Sequence, residues 1–168
     1  MQTFAQEGAP LAATTLLETM ERLVHETQGL QRDSAVTWQA NAEVRAGAGP
    51  SDDVWLHLEA TTSLPLTCQR CMGVVTTSVQ IDQWYRFVAT EEIAMAEDDE
   101  AEEDLLVMAP QFDLLALLED ELLMALPLVP MHEICPVMPR SSAVDIVKPG
   151  DAPVKPNPFA VLAQLKKK

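Results

Sequence analysis

Between residues 36 and 87 the apolar side chains recur at every second position, and this period constrains the fold more than any other feature. Val36, Trp38, Ala40, Ala42 and Val44 alternate with Thr37, Gln39, Asn41, Glu43 and Arg45. A period of two puts one set on each face of a strand, so the segment reads as a half-buried strand. Residues 47–53 read as a turn-rich loop around Gly49-Pro50-Ser51-Asp52. Val54, Leu56, Leu58, Ala60 and Leu64 carry the alternation through a second strand, and Val75, Thr77, Val79, Ile81, Tyr85 and Phe87 mark one face of a third. Three such strands in succession imply an antiparallel meander with one face on a core and one in water.

The flanks carry a helical period. Over residues 14–28, Thr15 with Glu18 makes a capping box, Leu16, Met20, Leu23 and Val24 share a face, and Gly29 is placed to stop the helix. Asp113 is the expected cap of a helix over 114–126. There Leu115, Leu118, Leu122 and Leu126 recur at helical spacing, Leu114, Leu117 and Met124 widen the apolar surface, and Pro127 ends the run. Leu105–Met108 reads as a short strand. The expected class is therefore α+β: an antiparallel β meander packed with an N-terminal helix and a central acidic-apolar helix. Residues 1–130 form the expected domain and 131–156 a proline-rich irregular segment. Residues 157–168 form a short tail helix, with Asn157 as cap and Pro158 in its first turn. A helix this short is marginal alone and needs a surface to dock on.

Charge narrows the partners. The net charge is −15, and residues 91–104 hold nine acids without a base, which reads as a mobile, solvated loop. Every lysine lies at or after Lys148. An acidic body repels nucleic acid phosphate and attracts basic proteins. RNA contact is then expected to be indirect or to use the tail. In the tail Phe159, Leu162 and Leu165, spaced three apart, suit a groove, and Lys166, Lys167 and Lys168 follow. No run of eighteen apolar residues and no signal sequence is seen, and an odd number of cysteines fits a reducing compartment. A cytoplasmic protein without membrane contact is expected.

The chemistry-bearing residues are few. Cys68 and Cys71 stand three positions apart, and Cys135 follows His132 at the same spacing. Zinc takes four thiolate or imidazole ligands in a tetrahedron, which Cys68, Cys71, His132 and Cys135 could supply as two arms, with Gly73 turning the first through positive φ. A redox pair opens a helix that lowers the first thiol's pKa. Here Val74, Val75, Thr76, Thr77 and Ser78 favour a strand instead. A third reading leaves both thiols in a plain hairpin turn and exposes Arg70 to a phosphate or carboxylate. Glu119, Asp120 and Glu121 form either a solvated helix face or a docking surface for a basic partner. His25 and His57 read as surface or rim residues. No phosphate-binding loop, nucleophile elbow or metalloprotease motif accompanies them, so neither an enzyme nor a small-molecule substrate is expected.

Three blocks carry a family resemblance: Leu64–Gly73 around Cys68-Gln69-Arg70-Cys71, the stretch from Asp113 to His132, and the ending from Lys155 to Leu165. In this order, in a chain of similar length, they resemble the bacterial large ribosomal RNA subunit accumulation proteins, the YceD family. The resemblance implies a cytoplasmic factor for accumulation or processing of large-subunit ribosomal RNA, with no established enzymatic activity. The positions carried over are Cys68, Arg70, Cys71, Glu119, Asp120, Glu121, Pro127, Pro130 and His132. Joined to the charge, it implies a basic ribosomal protein or a large-subunit precursor as partner. The competing expectation is an RNA-processing enzyme or a thiol redox protein using Cys68 and Cys71.

Overall fold

The structure is a computed structural model that describes residues 1–47 and 52–137. The expected tail helix with Phe159, Leu162, Leu165 and Lys166–Lys168 lies outside the described residues, as do the proline-rich segment from residue 138 on and the turn residues 48–51. The elements in chain order are α1 (Gln2–Glu7), β1 (Leu11–Leu16), a 3₁₀ turn (Leu17–Thr19), α2 (Glu21–Glu26), β2 (Ala35–Arg45), β3 (Asp53–Thr67), β4 (Val74–Val88), α3 (Glu91–Glu97), β5 (Asp104–Val107) and α4 (Leu114–Met124). The five strands lie side by side in chain order, antiparallel throughout except for the parallel pair β4 and β5. The class is α+β, and the meander read from the alternation is β2–β3–β4.

Alternation decides which face is dry. Val36, Trp38, Ala40 and Ala42 of β2, Val54, Leu56, Leu58 and Leu64 of β3, and Val79, Ile81, Tyr85 and Phe87 of β4 are all buried. They form one core with Leu17, Met20, Leu23, Leu118 and Leu122. Helix α4 rests against β4 and α2, and α1 covers β2 and β3. Asp113 caps α4 by accepting from the amides of Leu115 and Ala116, both at 3.0 Å. The buried line of α4 is Leu118 and Leu122, flanked by half-buried Leu114 and Leu117, while Leu115 faces out. Truncating fully buried Leu118 to Ala should cost about 2–5 kcal/mol.

Two expectations are corrected, and one element is new. Residues 14–28 are not one helix: Leu11–Leu16 is a strand paired with β2, from Leu11↔Ala40 to Leu16↔Ala35. The expected cap, Thr15, instead accepts a hydrogen bond from the Trp38 indole at 2.8 Å. Its hydroxyl is thus engaged across the sheet, and β-branched Thr14 and Thr15 suit a pleated edge. Only Glu21–Glu26 is helical, and Gly29 at φ 73° follows it, its amide donating to the Val24 carbonyl at 3.0 Å. Nor is the acidic run 91–104 a featureless loop. Thr90 caps α3 through the Ile93 amide, and the run leads into β5 at Asp104. Arg86 of β4 organises it, reaching Glu97 at 2.7 Å and Glu103 at 2.6 Å. Finally, α1 was not foreseen; six residues without an apolar period gave no signal.

Candidate metal centre

Strand β3 ends in the turn Cys68–Gly73, and β4 leaves it. The Cys68 amide donates to the Gly73 carbonyl at 2.8 Å and the Met72 amide to the Cys68 carbonyl at 2.9 Å. The left-handed residue of this turn is Met72, at φ 60°, not Gly73 as expected. Gly73 matters through proximity: a Cβ there would stand 3.5 Å from Cys71 Sγ and 3.9 Å from His132 Cε1.

The chain after α4 returns to this turn. The Gln69 amide donates to the Pro130 carbonyl at 2.8 Å, which registers the second arm on the first. Beyond that bond, His132 and Cys135 reach the cysteine pair. One ligand atom from each of Cys68, Cys71, His132 and Cys135 lies within 4.8 Å of all the others. Cys68 Sγ and Cys135 Sγ are 3.9 Å apart, and Cys71 Sγ and His132 Nδ1 are 3.4 Å apart. All three cysteines are free, with Cys68 and Cys135 buried.

The imidazole's tautomer follows from its partners. His132 Nε2 lies 2.9 Å from the Val74 carbonyl, which can only accept, so Nε2 carries the proton. In the neutral imidazole, the form that binds a metal, Nδ1 is then the lone-pair nitrogen, turned toward Cys71. A backbone carbonyl on the far ring nitrogen is the usual way of orienting a metal-bound histidine.

Electrostatics around the thiols are uneven. Burial opposes ionisation of Cys68, but hydrogen bonds from the amides of Cys71, His132 and Arg70 outweigh it and bring the thiol down to about 5. Cys71 accepts from the Gly73 amide, which favours its thiolate, yet burial and the neighbouring thiols prevail and push it up. The Arg70 guanidinium donates to Cys135 Sγ at 3.0 Å and to the carbonyls of His132 at 2.6 Å and Glu133 at 3.2 Å. Arg70 is therefore engaged by the second arm while its side chain stays at the surface. It closes the second arm over the first, and its charge offsets a thiolate. Among the described residues this is the only set of three or more cysteine or histidine donors. The low first-thiol pKa comes from amides of the turn and of the returning arm rather than a helix N-terminus, since β4 follows the pair.

The acidic triplet of α4 is drawn apart by the fold. Glu119 accepts from the amides of Arg22 and Leu23 at 2.8 and 3.1 Å, capping α2, and its other oxygen pairs with the Arg22 guanidinium at 3.0 Å. Asp120 binds the same guanidinium. Glu121 turns toward β4, where burial and then nearby Asp104 and Asp120 raise its carboxyl despite a lowering contribution from Tyr85. The Tyr85 hydroxyl is buried without a partner in hydrogen-bonding geometry. Two of the three acids therefore tie α4 to α2, with the Asp120 side chain still half exposed. Arg22 was the missed residue; its signal in the sequence was being the first basic residue of an acidic chain.

Residues 56–166 match the family model described as large ribosomal RNA subunit accumulation protein YceD. A Haemophilus influenzae protein of that description is 33% identical over 154 residues, which are 89% of this chain and 83% of the relative. No solved structure matches.

Proposed function

Because the chain belongs to the YceD family of large ribosomal RNA subunit accumulation proteins, we propose that it is a cytoplasmic, non-enzymatic factor for large-subunit ribosomal RNA accumulation. We propose further that it acts through a basic ribosomal protein or precursor particle. The match over residues 56–166 carries the reading, because it spans the cysteine turn, α4 and the returning arm. The charge of −15 supports a protein intermediary over direct coating of RNA. No helix among the described residues is long and apolar enough to cross a membrane.

Zinc at Cys68, Cys71, His132 and Cys135 is part of the proposal. A tetrahedron with Zn–S bonds of about 2.3 Å has S···S edges near ~3.8 Å, which the Cys68–Cys135 separation of 3.9 Å fits. Zinc held by four protein ligands has no open position for a reactant, so when bound it supplies a crosslink. The chain's own groups do the rest: Val74 fixes the His132 tautomer, Gln69 registers the arm and Arg70 closes it. The crosslink would hold the segment after α4, with exposed Leu128, Met131 and Ile134, in one arrangement on the domain.

Gradient sedimentation of cell extract tests the reading. The protein should travel with large-subunit precursors, and affinity purification at low and moderate salt should bring down a basic ribosomal protein. Migration as free protein with no such partner at either salt contradicts it. Nuclease activity lost in Asp120→Ala, or metal-free activity lost in Cys68→Ser, would favour the enzymatic alternatives.

A further inference from the structure

The water-facing side of the sheet carries an aromatic row that the core does not need. Trp55, His57 and Trp84 are half-buried there, on neighbouring β3 and β4 with His57 directly opposite Trp84. The His57 ring stacks on Trp84 at 4.3 Å with 5° between planes, and Trp55 meets Trp84 edge-on at 6.3 Å. The Arg45 guanidinium lies 4.4 Å from the Trp55 ring centre and 4.2 Å from that of Trp84. Both indoles therefore already receive a guanidinium, the geometry of a cation–π contact. A recess of ~510 Å³ opens here, with Asp82 and Glu102 as exposed carboxylates on its wall.

We propose that the Trp55–Trp84 recess receives arginine side chains of a basic protein segment, with Arg45 as the chain's own placeholder. The inference rests on the reading that the partner is a basic protein, and names where it is held. Charge selects the occupant. The α4 acids Glu119 and Asp120 are engaged by Arg22, and Glu97 and Glu103 by Arg86. Asp82 lies 2.7 Å from His57 Nε2 yet keeps an exposed side chain, and with Glu102 it lines the recess beside the aromatic rings. A planar cation gains from both the rings and the carboxylates. A single-stranded RNA would gain from stacking but would bring phosphates against the carboxylates, in a chain of charge −15.

The test is titration of the full chain with a deca-arginine peptide, followed by the three indole N–H signals in NMR. Trp38 is the internal reference, being in the core with its indole bonded to Thr15. The Trp55 and Trp84 signals should shift and Trp38 should not. Trp84→Ala should weaken binding by about tenfold and Trp84→Phe by less, whereas Arg45→Ala should tighten it by about threefold. An equally long lysine peptide should bind more weakly than the arginine peptide. Unchanged deca-arginine affinity in Trp84→Ala with the Trp38 signal intact overturns the proposal, as does a larger indole response to decauridine than to the peptide. Arginine binding at the tryptophans, in a protein that co-purifies with no ribosomal protein, would sink the functional reading and leave this one standing. Co-purification undiminished in Trp84→Ala would do the reverse.

Discussion

The sulfurs of Cys68 and Cys135 lie 3.9 Å apart, although 67 positions separate the residues in the chain. With Cys71 and His132 they form a compact four-donor set. Protein prepared without chelators should carry about one equivalent of zinc, and Cys68→Ser or Cys135→Ser less than about a tenth, because structural zinc binds tightly. Elemental analysis against protein concentration checks this. A wild-type protein as metal-poor as the variants would remove zinc from the account.

Arg70 bridges the two arms through Cys135 Sγ and two carbonyls. Arg70→Ala should release zinc to a competing chelator faster than wild type. Arg70→Lys should not restore the rate, because an ammonium cannot place several donors in one plane. Stopped-flow metal release with a coloured chelator reads both.

Glu119 and Asp120 share Arg22 but should differ in worth. Glu119 caps α2 through two backbone amides with its side chain only 13% exposed. Glu119→Ala should cost about 1–2 kcal/mol, by loss of a cap and of a charged hydrogen bond. Asp120 is half exposed, so Asp120→Asn should cost less than about 1 kcal/mol. Denaturant midpoints at unchanged slope report the two values.

The Arg86–Glu103 pair should make stability depend on acid. Burial raises the Glu103 carboxyl, but the Arg86 hydrogen bond and charge outweigh it and hold the carboxyl below its ordinary range in the folded state. A carboxyl lowered on folding contributes stability that is fully present above its unfolded pKa and disappears as pH falls through the folded one. The stability gap between wild type and Glu103→Gln should therefore be constant near neutrality and shrink below about pH 4.5. Equilibrium unfolding of both proteins across that range measures it; a gap that widens in acid would contradict the sign.

What the sequence made legible was local. A period of two in Val36–Val44 and Val54–Leu64 was enough to read β2 and β3, and Asp113 before an apolar helical run was enough to read α4. What it hid was decided by distant partners. Thr15 looks like a helix cap until Trp38 takes its hydroxyl across the sheet. Glu91–Asp104 looks like a solvated loop until Arg86 pairs Glu97 with Glu103. Arg70 looks free until the chain beyond Pro130 returns to it. The four donors could be named from their two spacings, but their meeting depends on the Gln69–Pro130 bond, which no local pattern signals. The Trp55–Trp84 face was hidden because outward positions of an alternating strand are expected to be polar, and aromatic residues are common in strands whichever face they occupy.

The ratio of large- to small-subunit ribosomal RNA in cells lacking this protein tests the central claim most directly. The account predicts a lowered ratio, restored by the wild-type chain and not by Cys68→Ser expressed at the same level. A ratio unchanged by loss of the protein would contradict it.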